Sequence, residues 1–341
     1  MSVLNLACVG AGNWGRNLVR TFNSLPDVHL KMICDASEPV RKGMAAQYPD
    51  AQVVADYDDV LANSQITAVV LAVPAIDHFE TARRALEAGK HVYVEKPISL
   101  SYSHACELTE LAEGKGLTLM VGHLMEYHPG LGLLKQIVDD GELGDILYLY
   151  AERVNLGVVR KDENALWSLA PHDISMILHL LESEPETVSA RGSCYLQTGV
   201  EDVVFVNMRF ADGRMAQIQV SWLDPHKARK LTVVGTKKMV VFDDMESSEK
   251  VRIYDKAAEK DSKSGALYES YGESITLRFG DVVIPHINSA EPLKLEAQHF
   301  VECVGSGQTP RSDGRDGMRV VRVLEAAQTS LEADGVPTTL S

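Results

Sequence analysis

Several signals that place a protein quickly are scarce in this 341-residue chain. Aromatic residues reach only 6%, and the five cysteines (Cys8, Cys34, Cys106, Cys194, Cys303) are odd in number, scattered and never in a CxxC spacing. A disulfide framework or a zinc site calls for paired, regularly spaced cysteines, so reduced thiols in a cytoplasmic protein are expected and no metal is predicted. Long apolar runs are missing too. The longest, residues 66–76, falls short of the about 20 residues a membrane helix needs. The chain enters its first apolar run with neither a basic stretch nor a small-residue cleavage site, so no signal peptide is expected. Basic residues are outnumbered, 33 Lys and Arg against 48 Asp and Glu, giving a net charge of −15. With no Lys/Arg-rich run, nucleic-acid binding is disfavoured. A small anionic ligand is still allowed, because a few cations in a cleft outweigh distant charge screened over ~10 Å.

What remains is an ordinary globular composition, 45% hydrophobic and 24% charged, in a chain longer than the roughly 250–300 residues one core supports. Two domains are therefore expected. Strand-like runs at 3–9, 29–34, 53–54, 68–73, 91–94 and 118–121 alternate with helical stretches at 15–25, 39–48, 57–63, 78–88 and 103–115. That alternation predicts a parallel sheet with crossover helices. After about residue 125 the pattern changes: helices are predicted at 129–140 and 172–181, and β-rich runs at 146–154, 203–210, 214–222 and 230–242. Strands without intervening helices predict a largely antiparallel sheet. Residues 257–271 read as a polar surface excursion, and helices are predicted at 296–303 and 314–333. The expected fold class is α/β: a doubly wound parallel sheet over 1–123, then an α+β domain with an open, mostly antiparallel sheet over 124–341. The final helices are free to pack back on the first domain.

Gly10, Gly12 and Gly15 form GxGxxG between the first strand and the first helix. Backbone N–H groups and the helix dipole there can receive a pyrophosphate, with Asn13 and Trp14 as the intervening loop residues. Asp35 ends the second strand, where a carboxylate accepts hydrogen bonds from a ribose and repels a 2′-phosphate, so NAD is the expected cofactor. A turn cap is the plain alternative for Asp35. Lys96 follows the strand-like run at 91–94, on the carboxyl edge where ligands of open α/β sheets bind. An ammonium group beside a nicotinamide can hold a substrate hydroxyl and stabilise charge growing on its oxygen.

Val73-Pro74 with His78, then Glu95-Lys96-Pro97, then Gly122-His123 leading to Tyr127-His128-Pro129 resemble the Gfo/Idh/MocA family of sugar and inositol oxidoreductases, in order and spacing, along the whole chain. The resemblance implies a Rossmann domain and a substrate domain whose sheet often forms an oligomer interface. It also implies that Pro74, His78, Glu95 and Lys96 border the cofactor, with Lys96 between nicotinamide and substrate. In the family a D-x-x-x-H pattern supplies a histidine that acts as acid/base or binds substrate. Here His172 takes that place, but Ser168 stands where the acid is usual, so Asp173 or a substrate group would have to support it. An imidazole titrating near neutrality can take a hydroxyl proton and return it.

The segments Arg153-Val154-Asn155-Leu156-Gly157, Arg160, Asn164 and 166–173 are similar to a branch associated with nucleotide sugars. Its members oxidise carbon 3 of UDP-N-acetylglucosamine or its uronic acid. Substrate contacts are then expected from Lys96, Tyr127, Arg153, Asn155, Arg160, Asn164, Trp167, Ser168 and His172, with Arg153, Arg160 and Lys161 facing the diphosphate. An inositol or free-sugar dehydrogenase, a sugar reductase, and a lyase or hydrolase using NAD transiently are the alternatives. Because both Lys96 and His172 are kept, a non-catalytic cofactor-sensing regulator on the same scaffold is disfavoured. A homodimer or homotetramer is expected.

Overall fold

A computed structural model describes residues 3–157, 159–161, 163–260 and 275–340. Two compact units result: Met1–His128 with Ala290–Glu325, and Pro129–Ser289 with Ala326–Ser341. The first unit thus runs five residues beyond the 123/124 boundary expected from sequence and takes in a returning segment near the end of the chain.

In the first unit, strands β1 (Leu4–Val9), β2 (Val28–Cys34), β3 (Gln52–Val54), β4 (Ala68–Leu71), β5 (His91–Glu95) and β6 (Leu119–Gly122) form one sheet. The helices between them are α1 (Gly15–Asn23), α2 (Glu38–Gln47), α3 (Tyr57–Ala62), α4 (His78–Glu87) and α5 (Tyr102–Lys115). The strand order is β3-β2-β1-β4-β5-β6, every pair parallel. This is the doubly wound order of dinucleotide-binding domains, with a reversal between β1 and β4 that opens a crevice at the strands' carboxyl ends. Strands buried on both faces read as continuous apolar runs, and β4, Ala-Val-Val-Leu, is buried at all four positions. Phe22, Tyr93 and Phe300 meet edge to face, with centroids 5.7–6.1 Å apart, and anchor the returning segment in this core.

The second unit contains α6 (Pro129–Asp139), β7 (Ile146–Val154), α7 (Ala165–Leu181), β8 (Thr187–Ser193), β9 (Val203–Arg209), β10 (Met215–Ser221), β11 (Ala228–Gly235), β12 (Met239–Asp243), β13 (Val251–Lys260) and β14 (Ile275–Val283). Helix α8 (Pro292–Ser306) and α9 (Gly314–Glu332) up to Glu325 belong to the returning segment of the first unit, and β15 (Thr338–Thr339) adds the last strand of the second. Nine strands order as β14-β13-β12-β11-β7-β10-β9-β8-β15, antiparallel apart from the β7–β10 pair. Helix α7 covers one face through β7, β9 and β10. Buried Leu149 and Ala151 alternate with exposed Tyr148 and Tyr150 in β7, so among the described residues no helix covers the other face.

Helix α7 begins seven residues before the predicted start at His172. Asn164 caps it by accepting from the Trp167 N–H at 3.1 Å, and Pro171 is tolerated inside it. The predicted run at 230–242 is two strands, β11 and β12, and β8, β14 and β15 carried no sequence signal strong enough to be predicted. The polar excursion expected at 257–271 is strand β13 up to Lys260; its remainder lies outside the described residues. No helix among the described residues is long and apolar enough to cross a membrane, and all five cysteines are free.

Candidate active site

The glycine turn is built for close approach. Gly10 sits at φ +85°, and a Cβ there would stand 2.5 Å from the Ala72 carbonyl oxygen; one on Gly15 would stand 2.1 Å from the Gly10 oxygen. Around Gly12 no atom lies within 4 Å of the position a Cβ would take, so its backbone faces open space. Helix α1 starts at Gly15 with no side-chain cap and no acid in its first turn; Arg16 and Asn17 N–H donate to the Gly12 and Trp14 carbonyls, and the positive dipole end of the helix faces the turn where an anion would sit. Asn13 and Trp14 are exposed on this turn. The Asp35 carboxylate accepts from Ala11 N–H at 2.7 Å and Ser37 N–H at 2.8 Å, fixing it against the turn. These residues fit a dinucleotide.

Next to the turn, at the end of β5, buried Glu95 accepts from the Trp14 indole N–H at 2.5 Å through Oε1 and from the Lys96 N–H at 3.3 Å through Oε2. Burial pushes the Glu95 carboxyl above its usual range, with Trp14 and then Lys96 opposing the shift. The glycine turn and the lysine segment are therefore tied to one carboxyl group. Lys96 is half-buried, and its peptide bond to Pro97 is cis. Pro74 is exposed at the end of the β4 segment, and His78, at the start of α4, is buried between the two segments.

Below these, His123 Nδ1 lies 2.7 Å from Asp316 Oδ2 and 3.5 Å from Glu126 Oε1. Among the described residues this is the one His/acid cluster with metal-ligand spacing. Arg319 donates to the other Asp316 oxygen at 2.7 Å, while His123 Nε2 is buried with no hydrogen-bond partner among the described residues. Burial works against charge on His123, but Asp316 and Glu126 outweigh it and hold the imidazolium up to about 10. Burial and the nearby Asp316 push Glu126 up to about 7. Tyr127, expected at the substrate, is only 4% exposed; its hydroxyl bonds Ser312 at 2.9 Å, and Arg311 stacks over its ring. It serves the core of this unit.

In the second unit, His172 is half-buried on α7 directly after Pro171, whose missing N–H breaks the helix bond to the Trp167 carbonyl. Asp173, the expected support for His172, instead accepts from Arg153 Nε at 2.7 Å and Nη2 at 3.1 Å, both side chains being buried. A bidentate pair of this kind fixes α7 against β7. It also removes Arg153 from the set able to meet a diphosphate. Asn164 spends its side chain capping α7 and donating to Glu201 and Gln328 at 2.8 and 3.1 Å, and the Trp167 indole N–H reaches the same Gln328 oxygen at 3.2 Å. Ser168 is buried one turn before His172. Asn155 is half-buried after β7, while Arg160 is exposed and pairs with Glu163 at 3.0 Å. The Glu95 bridge and the Arg153–Asp173 pair escaped sequence reading, because neither partner points to the other until the strands are in register.

Two family models match the chain: "Oxidoreductase family, NAD-binding Rossmann fold" over residues 4–123 and "GFO/IDH/MocA C-terminal domain" over residues 132–241. The chain is 27% identical to the uncharacterized oxidoreductase YrbE of Bacillus subtilis, over 97% of this chain and 95% of that one. Among solved structures it is similar to GenD2 from gentamicin A biosynthesis in complex with NAD, at 26% identity, TM-score 0.83, and 100% and 97% of the two chains. The UDP-N-acetylglucosamine 3-dehydrogenase GnnA of Acidithiobacillus ferrooxidans superposes with TM-score 0.81 at 23% identity, over 98% and 99%. With the 3-2-1-4-5-6 sheet, the open Gly12 turn and both halves matched, this chain belongs to the Gfo/Idh/MocA family of NAD(P)-dependent oxidoreductases.

Proposed function

We propose that this enzyme oxidises a secondary hydroxyl of a nucleotide sugar with NAD, carbon 3 of UDP-N-acetylglucosamine or its uronic acid, giving a 3-keto sugar. The observation that carries the reading is the shared carboxyl group of Glu95, which ties the dinucleotide turn to Lys96. Likeness to the dehydrogenase acting on UDP-N-acetylglucosamine supports the substrate class. Bound at the glycine turn, NAD supplies the hydride acceptor. The Lys96 ammonium group donates to the substrate hydroxyl oxygen and stabilises the charge that grows there as the hydroxyl proton leaves, before the carbon gives its hydride to the nicotinamide. His172 takes the hydroxyl proton. Arg160 and Lys161 meet the diphosphate, Asn155 meets an amide or hydroxyl, and Trp167 and Ser168 shape the pocket beside His172. Asp35 selects NAD, since a 2′-phosphate would face its carboxylate.

The test is a panel of UDP-sugars and free polyols with NAD, read by 340 nm absorbance and by mass spectrometry for a 3-keto product. Net NADH with a product two mass units lighter than a UDP-sugar supports the reading. Turnover of a free polyol alone overturns the substrate, and product without net NADH overturns the dehydrogenase in favour of transient oxidation. The face of the nine-stranded sheet away from α7, carrying exposed Tyr148, Tyr150, Phe205 and Met215, suits a homodimer or homotetramer. Tyr150→Glu should reduce the mass measured by light scattering.

A further inference from the structure

His78 occupies an unusual chemical position. Its Nδ1 lies 2.6 Å from the Pro97 carbonyl oxygen and its Nε2 lies 2.9 Å from the Val73 carbonyl oxygen, with the ring 1% exposed. Both partners are backbone carbonyls, which only accept hydrogen bonds. A neutral imidazole carries one N–H and satisfies one of them, leaving the second nitrogen's lone pair against an oxygen lone pair. A ring with both nitrogens protonated satisfies both. The two carbonyls belong to the segments that leave β4 and β5, and the second of these carries Lys96.

We infer that His78 is a positioning residue for Lys96: its ring ties the Val73–Pro74 segment to the Lys96–Pro97 segment and so sets where the ammonium group stands. This rests on the role given to Lys96 above. Glu95 holds the backbone on one side of the lysine and His78 holds it on the other. The charged groups acting on the ring are Lys96, which disfavours its second proton, and Asp77, which favours it; burial is the largest influence and pushes the ring toward neutrality. Ring protonation therefore couples to how firmly the two segments are joined, and that coupling is lost in a side chain that does not titrate.

The test compares wild type with His78→Ala and His78→Gln. The carboxamide N–H₂ of the second variant keeps two donors without titrating, and guards against a fold failure in the first. Turnover, NAD affinity and the acetylation rate of Lys96 by acetic anhydride are measured, with exposed Lys42 as the internal reference. His78→Ala should lower kcat about 30-fold, change the NAD Kd less than threefold, and alter Lys96 labelling at least threefold while Lys42 is unchanged. His78→Gln should recover part of kcat, and imidazole added to His78→Ala should do the same. Folded variants with kcat within twofold of wild type and Lys96 labelled at the wild-type rate would overturn the inference. If Lys96→Ala keeps full turnover while labelling still responds to His78, the catalytic role of Lys96 fails and the tie between the segments stands.

Discussion

A methyl group added at Gly12 should weaken dinucleotide binding without unfolding the protein, whereas one added at Gly10 should destabilise the fold itself. At Gly10 the backbone has φ +85°, and the new Cβ would lie 2.5 Å from the Ala72 oxygen and 2.7 Å from its carbonyl carbon, backbone atoms at the end of β4. The left-handed conformation alone costs an L-residue about 1–2 kcal/mol. Shifting backbone to relieve the contact brings the total to roughly 3 kcal/mol or more. For a domain of this size that is about 6–12 °C in Tm. At Gly12 no atom lies within 4 Å of the added carbon, so the melting temperature should hardly move, a change within about 0.5 kcal/mol. The same carbon would stand where a pyrophosphate approaches the backbone. Loss of one charge-assisted hydrogen bond, about 1.5–3 kcal/mol, raises the NAD Kd about 10- to 150-fold. Thermal melts without ligand and calorimetric titration with NAD separate the two effects. A Gly12→Ala protein that binds NAD like wild type would refute the placement of the dinucleotide, and a Gly10→Ala protein with wild-type Tm would refute the strain argument.

Three further outcomes are expected. Asp35→Asn keeps an acceptor for the Ala11 N–H but removes the charge, so the ratio of kcat/KM for NAD over NADP should fall at least tenfold, measured with both dinucleotides; an unchanged ratio counts against Asp35 as the selector. Asp173→Asn leaves Arg153 buried without its anion and should cost about 3–5 kcal/mol; urea unfolding followed by circular dichroism checks it, and an unmoved midpoint contradicts it. The buried network makes stability pH-dependent: the His123 pKa is raised from 6.5 to about 10, so its contribution is full below 6.5 and is lost as pH rises through 10. Glu126, raised from 4.5 to about 7, loses its contribution between those values. Both act in the same direction, so Tm should fall from pH 6 to pH 10, with a flatter profile in His123→Gln.

The dinucleotide-binding half was readable in the sequence because its signals are local. A buried parallel strand is a continuous apolar run, a crossover helix has its own period, and the glycine turn works through φ and the absence of side chains at neighbouring positions. Asp35 was legible from its place at the end of β2, although its carboxylate reaches the glycine turn across the neighbouring strand, 24 residues back along the chain. In the second unit local signals compete. The sequence predicts a helix start at His172, directly after Pro171, yet α7 begins at Ala165 and passes through the proline, because the capped turn at Asn164 and the packing against β7, β9 and β10 hold the helix on both sides. Short strands such as β8 and β15 become strands only by pairing with partners far along the chain. Residue type alone determined that this chain has a dinucleotide turn, a lysine at a strand end and a histidine on a helix. Only the tertiary structure decided what each polar group is free to do: it set Arg153 on Asp173, His123 on Asp316 across 193 residues, Tyr127 on Ser312, and both nitrogens of His78 on carbonyls. The physical reason is that a hydrogen bond needs an atom within about 3 Å, and strand register and helix packing, which no short stretch of sequence encodes, bring those atoms there.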